Sequence, residues 1–154
     1  MMLYTKLFHQ QKKPLFGKSG FDPDESFEDS CGDSFARFDY VLRQRRNYPE
    51  YQTGGTTLGW SSASIRSSKR LLKNAGKIAV PVLLLQAGED TLVENDAQDA
   101  FAEAADQVQI VRIENAKHEL MNGNGKTRRL YYQEIFRFLM THEADLREEN
   151  SSQT

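Results

Sequence analysis

The stretch Val80-Pro81-Val82-Leu83-Leu84-Leu85-Gln86-Ala87-Gly88-Glu89-Asp90 decides the fold. Its first six residues are apolar without alternation, which is the pattern of a strand buried on both faces in a parallel sheet. Pro81 has no N–H to give a ladder and fits only near the start of such a strand. Gly88 breaks the run, and a polar loop, Glu89-Asp90-Thr91, follows.

Working outward from this strand, Glu94 to Ala105 is Ala-rich, with Ala97, Ala100, Phe101 and Ala104 at helical spacing. Val108 to Ile113 is a second apolar run of strand length. Strand, helix and strand in succession predict a βαβ unit with parallel strands and a right-handed crossover. A loop carrying His118, Gly123 and Gly125 comes next, and a closing helix is predicted from Thr127 to His142 on Leu130, Ile135, Phe136, Phe138 and Leu139. Upstream, Phe35, Phe38, Val41 and Leu42 predict a helix over 34–48, with Asp33 as its N-cap and Pro49 ending it. Gly54-Gly55 marks a turn, and a second helix is expected from Leu58 or Gly59 to Asn74, with Gly76 as the C-cap. Residues 1–33 show no sustained period. The chain therefore divides into an irregular segment 1–33, a helical segment 34–76, an α/β segment 77–142 and a polar tail 143–154.

Composition narrows the function classes. The 154 residues suffice for one domain with a core. Twenty Lys and Arg against 22 Asp and Glu give a net charge of -2, and no electrostatic reason to expect nucleic acid as a partner. The local run Arg43, Arg45, Arg46 reads as solvated surface. Cys31 is the single cysteine, so no intramolecular disulfide forms; Asp29 and Asp33 beside it would raise its thiol pKa, and it reads as incidental. His9, His118 and His142 stand apart from one another, with no metal-ligand spacing. No stretch reaches the length of a transmembrane segment, and Met1 to Leu7 is too short for a signal peptide. The expected location is cytoplasmic, with a peripheral seat at the inner membrane as the alternative.

In doubly wound sheets the functional groups sit in loops at the carboxyl ends of the strands. Two such loops exist here, one with Asp90 and one with His118, 28 positions apart. Parallel strands put both at the same end, where an Asp can accept a hydrogen bond from a His ring and fix its tautomer. The order, acid and then histidine, is the one used in α/β-hydrolase triads. An Asp after a strand is also a common helix N-cap, and a lone exposed His commonly has no role; spacing leaves these readings open.

The segments IAVPVLLLQAGEDTLVEN (78–95) and IENAKHEL (113–120) are similar to the lysophospholipase and monoglyceride lipase group of α/β-hydrolases. In that group such a strand leads to the triad Asp and a His-Glu pair carries the triad His. RFDYVLRQRRNYPEYQTGGTTLGW (37–60) resembles the cap of bacterial lysophospholipases. The resemblance spans Phe35 to Leu139 and implies the C-terminal part of an α/β-hydrolase, a partial parallel sheet with flanking helices plus a helical cap over 34–76. By resemblance Asp90 is the triad acid and His118 the general base. The implied reaction is hydrolysis of a lysophospholipid or monoacylglycerol ester, without a cofactor. The cap aromatics Phe35, Phe38, Tyr40, Tyr48, Tyr51 and Trp60 would then suit an acyl-chain lid, although aromatics at helical spacing are ordinary packing more often.

Two features depart from the group. An acidic residue usually stands a few positions past His-Glu-Leu and anchors the loop; Gly123 and Gly125 occupy that region here, so a looser His118 loop is expected. The G-x-S-x-G nucleophile elbow has no match. Gly59-Trp60-Ser61-Ser62-Ala63 lacks the fifth glycine and a preceding apolar strand, and Gly17-Lys18-Ser19-Gly20 is followed by Phe21. The expectation is a truncated or split C-terminal hydrolase fragment that carries acid and base, lacks the nucleophile elbow and is inactive alone. The alternative is a non-catalytic remnant, or an interaction module that pairs with a separate N-terminal half.

Overall fold

A computed structural model of the chain describes residues 10–15 and 20–151, with side chains as far as Glu143. Met1 to Leu7, His9 and Gly17-Lys18-Ser19 lie outside these residues. The described elements are helices α1 (Phe35–Asn47) and α2 (Leu58–Lys73), strand β1 (Val82–Ala87), helix α3 (Asn95–Glu103), strand β2 (Val108–Ile113) and helix α4 (Gly125–Ser151), with short 3-10 turns between them. The sheet has two parallel strands, in register from Val82 opposite Val108 to Ala87 opposite Ile113. β2 has the bounds that the apolar pattern gives it.

β1 begins and ends two residues later than its apolar run. Pro81 cannot donate, so the ladder opens with Val82 N–H to Gln107 C=O at 2.9 Å, and Val80 stays exposed. At the other end Gln86 extends the strand because its amide is satisfied inside the protein. Its Nε2 donates to the Asn95 carbonyl at 3.1 Å and to Asp99 Oδ1 at 2.9 Å, and its Oε1 accepts from Arg112 Nε. Arg112 also pairs with Asp99 at 3.1 Å. This network joins β1, β2 and α3 through one buried amide. A polar group so enclosed persists only when it is hydrogen-bonded.

The core sits at the carboxyl end of the sheet. Ala87, Ile113, Ala116 and Leu120 are buried together, with Leu85, Leu130 and Tyr131 packed against them. Two of these residues end the strands and two belong to the loop that follows β2, so the loops rest directly on packed side chains. Leu130 and Tyr131 bring α4 against the same cluster.

Helix boundaries differ from the sequence expectation where side chains found tertiary partners. Ser34, not Asp33, is the N-cap of α1, because the Asp33 carboxylate is engaged by α4. α1 ends at Asn47, and Pro49 opens a 3-10 turn. α2 is capped at its start by Thr57 Oγ1, which accepts from Trp60 N–H at 3.1 Å. Its C-cap is Asn74, whose Nδ2 donates to the Arg70 carbonyl at 2.7 Å, while Gly76 lies in the following turn Ala75–Lys77. α3 is shorter than its pattern and begins after Glu94. Asn124 caps α4, accepting at Oδ1 from Lys126 and Thr127 N–H at 2.9 and 3.1 Å. That helix passes the expected end at His142 because residues 143–151 hold neither Gly nor Pro and include the strong helix formers Glu, Ala, Leu and Arg.

The segment before α1 is irregular but docked. Phe27 packs on Phe35 and Phe38 with ring centroids 5.5 and 5.6 Å apart. Arg45 pairs with Glu25 at 3.2 Å and lies over the Phe21 ring, and Arg46 Nε donates to the Pro23 carbonyl at 2.7 Å. Two of the three arginines read as solvated surface thus fasten residues 21–25 to α1; Arg43 pairs with Asp39 on the same helix. Farther upstream, Pro14 bridges antiparallel to Thr57. A Cβ on Gly59 would come within 2.8 Å of the Gln11 carbonyl oxygen, so this glycine serves a close backbone approach. The Gly59-Trp60-Ser61-Ser62-Ala63 motif therefore occupies the first turns of a capped helix, not a strand-to-helix elbow.

Candidate active site

The loops after β1 and β2 are joined backbone to backbone. Gly88 N–H donates to the Ile113 carbonyl and Glu89 N–H to the Ala116 carbonyl, both at 2.9 Å. Gly88 eases this approach, since a Cβ there would lie a tight 3.0 Å from Glu114 Cα. The chain then turns at Asn115, whose φ of 55° is the left-handed conformation that Asn tolerates better than most residues. These two features deliver Asp90 and His118 to one spot.

The Asp90 carboxylate is divided between two tasks. Oδ1 accepts from the backbone N–H groups of Leu92 and Val93 at 2.8 and 3.0 Å, which fixes its orientation. Oδ2 lies 2.8 Å from His118 Nδ1. The Asp90 side chain is only 3% exposed, whereas that of His118 is 39% exposed. Burial alone would push the Asp90 carboxyl up, but the His118 bond and the two backbone donors outweigh it and hold the group below its ordinary value of 3.8. A carboxylate at Nδ1 favours the tautomer with the proton on that nitrogen. Nε2 then carries the lone pair, on the more exposed partner, and makes no hydrogen bond among the described residues.

The His118 loop is tied down from outside. In place of an acidic residue after His-Glu-Leu, the segment before α1 and α1 itself hold it. Lys117 Nζ donates to the Ser30 carbonyl at 3.1 Å, Glu119 N–H to the Cys31 carbonyl at 2.9 Å, and Arg37 to the Gly123 carbonyl at 3.1 Å. Sequence reasoning missed these partners. Two of the acceptors are backbone carbonyls of an irregular segment, which leave no mark in residue type.

Cys31 lies at this junction, and its thiol is pushed up first by burial and then by the carboxylates of Glu119, Glu25 and Asp90. A cleft of about 130 Å³ between this segment, α1 and the His118 loop is lined by Cys31, Arg37, Phe38, Leu42 and Glu119. Ligand pockets commonly occupy about 300–1,000 Å³, so this cleft is smaller than a usual ligand pocket. Of the aromatics expected to suit a lid, Phe35, Tyr40, Tyr48, Tyr51 and Trp60 are exposed, and Phe38 packs on Phe27. Among the described residues no group of His, Cys, Asp and Glu is arranged to hold a metal ion.

Two parallel strands flanked by helices, with the Asp90 and His118 loops together at their carboxyl ends, fit part of an α/β-hydrolase fold. The solved monoglyceride lipase of Saccharomyces cerevisiae superposes with a TM-score of 0.59 at 14% identity, over 77% of this chain and 43% of that one. The chain belongs to the serine aminopeptidase S33 family, whose sequence model matches residues 15–124. It is 27% identical to a probable lysophospholipase L2 of Haemophilus influenzae over 130 residues, 84% of this chain and 42% of that protein. It is 39% identical to lysophospholipase L2 of Escherichia coli over 67 residues, 44% of this chain and 20% of that protein. The chain thus spans less than half the length of these relatives.

Proposed function

We propose that Asp90 and His118 are the acid and the general base of a serine hydrolase triad acting on a carboxylic ester of a lysophospholipid or monoacylglycerol. The observation that carries this reading is the 2.8 Å contact of Asp90 Oδ2 with His118 Nδ1 at the carboxyl ends of two parallel strands. In this scheme His118 Nε2 removes the proton from a serine hydroxyl as its oxygen attacks the ester carbonyl. The same proton passes to the departing alcohol when the tetrahedral intermediate collapses to the acyl-enzyme. A water molecule, deprotonated by the same nitrogen, then releases the fatty acid. Asp90 holds the ring and stabilises the imidazolium without itself taking the proton. The chain contains no G-x-S-x-G sequence, so the serine and the oxyanion donors come from an N-terminal hydrolase half outside these residues. Residues 34–76 act as the cap and 77–142 as the C-terminal part of the core. The reading places the protein in the cytoplasm or at the inner face of the membrane. No described helix is long and apolar enough to cross a membrane.

The test is complementation. Alone, the 154-residue chain is expected not to hydrolyse lysophosphatidylcholine. Co-expressed with the elbow-bearing N-terminal half of a lysophospholipase L2 relative, it should do so. His118→Ala should then lower turnover by roughly 10⁶ and Asp90→Asn by about 10⁴. Turnover that survives His118→Ala would refute the assignment. The same absence of an elbow favours a second reading, a non-catalytic module that binds such a half. Tight association of the two halves without any turnover would select it.

A further inference from the structure

The loop that carries His118 is fastened on its far side by a residue remote in sequence. Asp33 Oδ1 accepts from Asn124 N–H at 2.6 Å, and Oδ2 accepts from Asn124 Nδ2 at 2.7 Å and from Thr127 Oγ1 at 3.0 Å. Both oxygens are engaged, across 91 and 94 positions of sequence. Thr127 is buried. The fit at this point is tight: a Cβ on Gly123 would meet Thr127 Cγ2 at 2.5 Å and Asp33 Oδ1 at 2.9 Å. Asp33 therefore pins the start of α4 and the end of the His118 loop to one carboxylate, while the neighbouring Cys31 carbonyl holds Glu119 N–H, directly after His118.

Besides the Lys117–Ser30 and Arg37–Gly123 bonds, the loop between Ala116 and Asn124 has three fixed points. One is the buried Ala116, bonded to Glu89; the second is Glu119 on Cys31; the third is Asn124 on Asp33. His118 lies between the first two. Its ring is half-exposed, so packing alone does not fix its direction, and the 2.8 Å bond to Asp90 depends on where the backbone places the ring. Charge-assisted hydrogen bonds such as those of Asp33 are the strong ones. Those to a loop amide and a buried hydroxyl fix the point where the loop ends and α4 begins.

We propose that Asp33 is a positioning residue for His118, acting through Asn124 and Thr127 to hold the ring against Asp90. The inference rests on the reading of His118 and Asp90 as a catalytic pair. It assigns to the segment before α1 the anchoring task for which the His118 loop has no acidic residue past His-Glu-Leu.

The test reads the tautomer of His118 by ¹⁵N NMR in the full 154-residue chain with labelled histidine, at neutral pH. Free imidazole favours the proton on Nε2, and the bond to Asp90 favours Nδ1, so the signature is one that a merely structural contact does not move. In the wild type the Nδ1–H form should predominate, and in Asp90→Asn it should give way to Nε2–H. Asp33→Ala is expected to shift the population in the same direction as Asp90→Asn, with faster amide exchange at Glu119 and Asn124. Asp33→Asn, which keeps an acceptor for Asn124 N–H, should recover part of the wild-type signal. Thr127→Val, nearly isosteric, should give a smaller shift and carries the question if Asp33→Ala does not fold. A wild type indistinguishable from Asp90→Asn would remove the pair and the positioning role with it. A wild type distinct from Asp90→Asn but unchanged by Asp33→Ala or Thr127→Val would remove the positioning role alone.

Discussion

Replacing Gln86 by Leu tests whether the buried amide organises the α/β unit. The side chain is 1% exposed and makes three hydrogen bonds, to the Asn95 carbonyl, Asp99 and Arg112. Leucine fills a similar volume, so little cavity term arises and the loss is mainly polar. Asp99 and Arg112 are 40% and 42% exposed and still pair with each other, so water recovers part of their loss. The Asn95 carbonyl loses its partner on the strand. A net value of about 0.5–1.5 kcal/mol for each bond, partly offset by apolar burial of leucine, gives a destabilisation of about 2–3 kcal/mol. For a domain of this size that lowers Tm by roughly 4–12 °C. The assay is urea denaturation and a thermal melt of Gln86→Leu, Arg112→Met and the double variant. Residues sharing one network should show a coupling of about 0.5–3 kcal/mol. A Gln86→Leu protein as stable as the wild type, or a double variant whose effects add, would refute the reasoning.

Three further outcomes follow from the site. Asp90 titrates below 3.8 in the folded protein, so its contribution to stability is complete above 3.8 and drains away as pH falls through the folded value. The difference in denaturation midpoint between wild type and Asp90→Asn should be constant near neutrality and close on acidification below 3.8; a difference that widens there would contradict the assignment. Gly123→Ala should cost about 1–3 kcal/mol, because its Cβ would press on Thr127 and Asp33, and calorimetry should show this as a lowered Tm. Cys31 should react with iodoacetamide more slowly than a free thiol at neutral pH, since burial and then Glu119 push its pKa up, and Glu119→Gln should speed the reaction.

The parts of this fold that are legible in the sequence are those whose cause is local or periodic. β2 could be read residue for residue because an apolar run ends at both sides in polar turns, and β1 was displaced only by Pro81 and by a glutamine that finds its partners inside. The approach of Asp90 to His118 follows from topology, since parallel neighbours must present their following loops at one end. What the pair does in catalysis rests on the proposed reaction. Asp33 was illegible for the opposite reason. An Asp before an apolar helical pattern has a sound local reading as an N-cap, and nothing in residue type marks that a threonine 94 positions away competes for the same oxygens. The segment around it lacked any period because its work is done largely by backbone carbonyls: Pro23 for Arg46, Ser30 for Lys117, Cys31 for Glu119. Every residue has a carbonyl, so a segment that acts through them looks like a loop in sequence. In the fold it is the strap that joins α1 to the histidine.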